Sequence, residues 1–471
     1  MRKISLFTVS LTSVLLLSSC VNSQIKKNDS GLDEITLVES VPAETVYGSG
    51  LTQRPQQVWV EMINSAQKTL DFEEYYIADQ ENEALRPVIE AVKKASARGV
   101  RVRFLVDSGM YRESKKTVPE LEAAGVDLKI INFGKYANFR NLKSGGIQHS
   151  KFFIVDGKEV YVGSQNFDWR SLKHIHELGA RIKSVAAAEN FAQIFNGDWE
   201  IANGGNAVEL FGKKAASPIN SKNRRGALLN GDKIEYSLAF GPRGLVNPGF
   251  DSEIDAFIDL IKNAKKTLHG QVMSYSLDEY YPEKWTELND AIVAAGKRGV
   301  KVELVFADWT LGKKNKKDPK TGVKFNPDDD IKALGASENV NIKISSLPEY
   351  SEGFIEFARV EHLKYMVADG DKGYISTSNW GPSYFLTTRG AAVILYGKSA
   401  GDILEDVFSK AWNGPYVSDL QQNWKYKSVV RTQSQKDKEE AKKQKETGNA
   451  AAEPAQVSSE DETAADAGEE K

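Results

Sequence analysis

Cysteine occurs once, at Cys20, in 471 residues, which excludes an intramolecular disulfide framework. Histidine is nearly as scarce, with five in all. His174 and His176 are too isolated to form a metal constellation, so the chain offers none, and its chemistry is expected to proceed without a metal or other cofactor. Net charge is only −3 and the pI near 6.1, so the basic footprint of an extended duplex-binding protein is missing and any nucleic-acid contact should be local. Long apolar runs are absent too: the stretch from Leu6 to Leu17 is too short to span a membrane.

Both ends are read as lying outside the fold. Arg2 and Lys3, the apolar run and Leu17-Ser18-Ser19-Cys20 make residues 1–19 an export signal, and the small residues before Cys20 resemble a bacterial lipoprotein cleavage box. Cys20 would then be the lipidation site, placing the chain in the bacterial cell envelope, anchored to a membrane through an acylated N-terminus. Val21 after it resembles outer-membrane sorting, with the periplasmic face as the other setting. Residues 433–471 are rich in Lys, Glu, Ala and Ser with no aromatic residue, a composition that cannot bury a core and reads as a disordered charged tail.

Between those ends the chain repeats itself. Ile63-Asn64-Ser65-Ala66 matches Ile261-Lys262-Asn263-Ala264, and Arg98-Gly99-Val100 matches Arg298-Gly299-Val300. Apolar residues recur with helical spacing over Leu85 to Ala97 and Leu288 to Lys297, Gly99 and Gly299 are natural helix stops, and Val100 to Val106 and Val300 to Phe306 alternate as strands. Such βαβ units imply an α/β fold of two fused domains, each a helix-flanked, mostly parallel sheet. The expected boundaries are 35–202 and 233–425, with the Gly-, Asn-, Lys- and Ser-rich stretch 203–232 as a surface connector. A second polar stretch, from Lys313 to Asp330, reads as a solvated loop.

Two of the five histidines stand in one repeated phrase, H-x-K-x4-D. It runs His149, Lys151, Asp156 and again His362, Lys364, Asp369, the copies 213 residues apart. Each is followed by a small-residue turn, Gly163-Ser164-Gln165-Asn166 and Ser376-Thr377-Ser378-Asn379. On a strand, His149 and Lys151 project to one side, as do His362 and Lys364. The apolar stretches Phe152 to Val155 and Tyr365 to Ala368 look like buried strand, ended by Asp-Gly hairpin turns. A lone strand histidine is commonly a core residue. A buried lysine beside it, in both copies, is costly without an anion, and an anionic ligand is the economical explanation.

The doubled motif resembles the phospholipase D superfamily of phosphodiesterases. The flanking residues Phe167-Asp168-Trp169-Arg170-Ser171-Leu172, Ala358-Arg359-Val360 and Thr377-Ser378-Asn379-Trp380 resemble animal lysosomal phospholipase-D-like 5′ exonucleases and poxvirus envelope relatives. The resemblance implies an active site at the pseudo-two-fold interface, where one imidazole attacks phosphorus to form a phosphohistidine and the other protonates the leaving oxygen. Lys151, Lys364, Asn166 and Asn379 would hold the nonbridging oxygens, with Ser164 and Ser378 either donating to phosphate or making the turn. Asp156 and Asp369 belong to the motif but are expected to hold loops rather than do chemistry.

The family also has an acid at the position of Glu177, eleven residues after Asn166. With Thr388 read as its counterpart in the second half, that carboxylate makes His149 the expected nucleophile and His362 the acid. Trp380, Tyr384 and Phe385 would either stack a base or pack in the core. Three functions follow: a 5′ exonuclease on single-stranded nucleic acid, a phospholipase D or cardiolipin-synthase-like phosphatidyltransferase acting on phospholipid, and a non-catalytic phosphate-binding module.

Overall fold

Helix Pro55–Ser65 opens on a proline, whose missing N–H costs nothing in the first turn, and buries Val58, Trp59, Met62 and Ile63 along one stripe. Its counterpart in the second half, Glu253–Asn263, buries Ile254, Phe257, Ile258 and Ile261 in the same pattern. The computed structural model describes residues 31–136, 146–278, 281, 284–312 and 326–446. Helices Arg86–Ala97 and Glu287–Lys297 follow where the apolar spacing predicts them. Gly99 and Gly299 stop them at φ 89° and 87°, a left-handed turn that a β-carbon would strain. The chain then enters strands Arg101–Asp107 and Lys301–Ala307.

From its outer edge inward, the first half orders strands Asp127–Ile131, Arg101–Asp107, Thr69–Glu74, Phe152–Val155, Glu159–Gly163, Glu177–Lys183 and Asp33–Ser40. The second half repeats this with Val340–Ser345, Lys301–Ala307, Thr267–Val272, Lys364–Ala368, Lys372–Ser376, Gly390–Tyr396 and Asp232–Gly241. The chain is thus an α/β protein of two fused, helix-flanked domains. In each half the βαβ strands pair parallel. The hairpins that carry the motifs add antiparallel pairing, so each sheet is mixed.

Strand Arg225–Leu229 joins the two sheets, pairing parallel to Asp33–Ser40 and antiparallel to Asp232–Gly241. It lies within 203–232, whose composition reads as a surface connector, and helix Ala207–Phe211 lies there too. Buried Ala227 and Leu229, alternating with part-exposed Leu228, carry the strand signal that the surrounding polar residues mask. One apolar cluster spans both halves, with Phe152, Leu178 and Phe191 packed in the same core as Tyr365, Val393 and Phe408.

Two polar stretches are more ordered than their composition suggests. Asp328 to Asp330 form the first turn of helix Pro327–Gly335, where acidic side chains suit the positive end of the helix dipole, and Asp330 is buried. The first 14 residues of the expected disordered tail form helix Gln433–Glu446. Contacts at its start hold it: Arg431 bonds Asp308 at 2.6 Å, and the Gln433 N–H donates to Glu356 at 2.6 Å. Residues 447–471, the signal 1–19 with Cys20, and 313–325 of the polar loop lie outside the described residues.

Candidate active site

Strands Phe152–Val155 and Lys364–Ala368 begin at or just after the motif lysines, so His149, Lys151 and His362 stand on the segments leading into the strands and not, as the alternation predicts, on the strands themselves. His149, Lys151, His362 and Lys364 are all buried. In each copy the lysine ammonium donates back to the carbonyl of its own histidine, Lys151 to His149 at 2.8 Å and Lys364 to His362 at 2.7 Å. The halves then exchange backbone bonds: the His149 N–H donates to Arg389 at 3.1 Å and the His362 N–H to His176 at 2.8 Å. Each histidine is therefore fixed to the end of a strand-leading segment from the other half.

His149, His362, Asn166 and Asn379 line one cleft at this seam. Asn379 is fully buried, and neither polar atom of its side chain has a hydrogen bond among the described residues. Asn166 donates to the Tyr76 hydroxyl at 3.2 Å. Burial, reinforced by the charges of Lys151 and Lys364, holds both imidazoles well below the usual histidine range. An anion in the cleft would offset that repulsion and let one ring accept a proton. Among the described residues no set of three His, Cys, Asp or Glu side chains is arranged to hold a metal ion. Positive charge reaches the site from Lys151 and Lys364 beside the histidines and from Arg112 and Arg170 in the cleft wall.

Glu177 is where the structure corrects the sequence reading. Its carboxylate bonds Nδ1 of His362, in the other half, at 2.9 Å, so the ring with a carboxylate behind it is His362 and not the expected His149. Burial pushes the Glu177 carboxyl up to about 8, against the opposing pull of Lys364 and the hydroxyls of Ser171 and Ser164. Strand register also moves its counterpart: Glu177 pairs with Ser40 and Gly390 with Gly241, so the equivalent position is Gly390, not Thr388. A β-carbon at Gly390 would collide with the Ser378 hydroxyl and the Glu253 carboxylate. Glu253 spends its oxygens on Tyr374 at 2.8 Å and Ser378 at 3.0 Å. No carboxylate bonds His149, whose Nδ1 is buried without a hydrogen bond among the described residues.

Other predicted residues sort by position. Asp156 accepts the N–H groups of Gln67, Lys68 and Thr69, and Asp369 those of Lys265, Lys266 and Thr267. Both pin the start of a neighbouring strand, away from the cleft. The Ser164 hydroxyl accepts the Leu178 N–H at 3.0 Å and Ser378 donates to Glu253, so both serve the protein's own turns. Trp380 and Phe385 are core residues, whereas Tyr384 lines the cleft, its ring 5.1 Å from that of His149. Tyr75 flanks the same imidazole at 4.8 Å.

The sequence reading missed Tyr75, Tyr76, Arg112 and Arg170 as cleft residues. The signal available was the pair Tyr75-Tyr76 directly after strand Thr69–Glu74, where parallel strands present their carboxyl ends to ligands. Arg170 is held by Asp168, which accepts at 2.7 Å and also takes the Tyr76 hydroxyl at 2.9 Å.

A family profile described as "Cardiolipin synthase, PLD-like domain" matches residues 59–199 and 257–412, one stretch in each half. Phospholipase D Z of Dictyostelium discoideum is 28% identical over 431 residues, 86% of this chain and 97% of that protein. The 5′-3′ exonuclease PLD3 of Xenopus laevis is 28% identical over 424 residues, 83% of each. Among solved structures, phosphatidylserine synthase of Haemophilus influenzae Rd KW20 superposes with a TM-score of 0.54 at 12% identity, covering 83% of this chain and 92% of that one, a likeness of fold. With both motif copies facing one cleft and the family profile matched in each half, the chain belongs to the phospholipase D superfamily and is a phosphodiesterase of it.

Proposed function

We propose that this phosphodiesterase works through a phosphohistidine on His362 and trims single-stranded nucleic acid from its 5′ end. The observation that carries the mechanism is the unequal pair of imidazoles, one backed by Glu177 at 2.9 Å and one without a carboxylate. A proton on Nδ1 of His362, donated to Glu177, leaves the lone pair on Nε2 for attack. The P–N bond forms as the bond to the leaving oxygen breaks, and protonated His149 passes its proton to that oxygen. His149, now neutral, takes a proton from water. The resulting hydroxide attacks phosphorus, and the P–N bond breaks with its electron pair returning to His362. Lys151, Lys364, Asn166 and Asn379 hold charge and donors around the nonbridging oxygens.

Nucleic acid is favoured by the composition of the cleft wall, where three aromatic rings, Tyr75, Tyr76 and Tyr384, stand with Arg112 and Arg170, the residue types that bind single strands. Relatives named 5′-3′ exonuclease PLD3 support the same reading, while relatives named phospholipase D keep phospholipid as the second one. The test offers purified full-length protein a 5′-hydroxyl single-stranded oligonucleotide and, separately, phosphatidylcholine and phosphatidylethanolamine vesicles. Stepwise release of mononucleotides from the 5′ end is expected. Choline or ethanolamine release without nucleotide release would overturn the nucleic-acid reading, and internal cleavage of a circular strand would overturn the exonuclease reading.

A further inference from the structure

His176 has no place in the chemistry above, yet it is buried between two carboxylates. Its Nδ1 lies 2.7 Å from Glu361 and its Nε2 3.0 Å from Glu39. A neutral imidazole has one N–H and can donate to only one of them; an imidazolium donates to both. Its backbone and chain neighbour grip the same target. The His176 carbonyl accepts the His362 N–H at 2.8 Å, and Glu177, next in the chain, bonds the His362 ring at 2.9 Å. Residues 176 and 177 thus hold residues 361 and 362 at three points across the seam.

The other half closes the same position differently. Arg389, whose carbonyl accepts the His149 N–H, stands where His176 stands in the first half, 27 residues after its motif histidine in both copies. Its guanidinium forms a fully buried bidentate pair with Asp198, at 2.7 and 2.9 Å. A cation held by buried carboxylates therefore stands behind each catalytic histidine, permanent in one half and titratable in the other.

We propose that His176 is a positioning residue: as a cation bridging Glu39 and Glu361 it fixes the backbone and ring of His362 for attack, and its deprotonation releases that grip. This rests on His362 being the nucleophile. The groups facing His176 are Glu39 from strand Asp33–Ser40, Glu361 before strand Lys364–Ala368, and Tyr47, whose ring stacks on it at 4.5 Å. Behind them, Arg54 approaches Glu39 at 3.4 Å, and Gln271 and Ser345 each donate to Glu361 at 3.4 Å. Burial opposes the charge, but the two carboxylates outweigh it and raise His176 to about 9.

The experiment measures kcat and KM against pH with bis(4-nitrophenyl) phosphate, a diester that favours neither nucleic acid nor lipid, alongside 15N spectra of the His362 imidazole. Wild type should lose kcat as pH rises through about 9. His176→Gln should lower kcat roughly 10- to 100-fold with little change in KM, remove that alkaline limb and shift the His362 resonances. His176→Lys, which keeps the charge, should restore most of kcat and move the limb upward. If His176→Gln fails to fold, Glu39→Gln, which removes one carboxylate, should move the limb to lower pH. A folded His176→Gln with unchanged kcat, or a limb that Glu39→Gln leaves in place, overturns the positioning role. Wild type without turnover would sink the catalytic reading, and His362 resonances unmoved by His176→Gln would then still sink this one.

Discussion

The Glu177 carboxylate, on the first half, bonds the His362 imidazole of the second at 2.9 Å across 185 residues of chain. Replacing it by the neutral isostere tests what that bond does. Glu177→Gln should lower kcat by roughly 10- to 100-fold. Turnover of wild type should rise as pH increases through about 8, where the raised carboxyl ionises and can accept from Nδ1, and the variant should lack that rise. Stability should move the other way. A carboxyl raised from its unfolded value of 4.5 to about 8 costs the fold increasingly as pH climbs through that window, so Glu177→Gln should melt at or above the wild-type temperature at pH 9. A variant that is less stable at pH 9 and equally active would refute both halves of this argument.

The identity of the nucleophile can be read by trapping. With an activated diester the leaving group needs no proton, so His149→Asn should release one equivalent of nitrophenol in a burst and then stall, for want of a base to activate water. Mass spectrometry should find the phosphoryl group on the peptide containing His362. His362→Asn should give no burst. A burst from His362→Asn and a modified His149 peptide would reverse the roles.

Much of this site is written in the sequence because it is local. The H-x-K phrase sets its histidine and lysine two residues apart at the entrance of a strand, and the Asp-Gly turns decide where that strand ends, both within a few residues of one another. The Glu177 partner is not local. Which histidine a carboxylate meets depends on how the two halves dock, and the carboxylate that leads strand Glu177–Lys183 meets His362 across the seam. The counterpart of Glu177 is itself legible in the sequence: Gly390 lies eleven residues after Asn379 as Glu177 does after Asn166, and strand pairing gives the same register.

Asp156 and Asp369 should separate from the catalytic set by their effect on stability. Each accepts three backbone N–H groups, which hold its carboxyl below the usual range despite partial burial. Asp156→Ala leaves those donors without their acceptor and should cost about 1–3 kcal/mol of unfolding free energy, measured by urea titration. The folded fraction should keep wild-type kcat. Because the folded carboxyl is depressed, its contribution is present above the unfolded value and lost as pH falls, so the deficit of the variant should shrink in acid. A kcat reduced a hundredfold at full folding would place Asp156 in the chemistry after all.

Trp380, Tyr384 and Phe385 follow Asn379 closely in sequence but stand in different environments, and substitution should resolve them. Trp380 is fully buried and packs against Phe257 and Phe306; Trp380→Ala should cost about 3–5 kcal/mol and show as a lowered melting temperature. Tyr384 lines the cleft beside His149, so Tyr384→Ala should leave the fold nearly intact and raise KM for a single-stranded oligonucleotide by roughly tenfold, the order expected for one lost base stack. Bis(4-nitrophenyl) phosphate reaches the phosphoryl site without a base to stack, so its KM should change far less. Equal losses on both substrates would mean that Tyr384 acts through the His149 ring and not on a base, because only an effect on the imidazole is common to the two reactions.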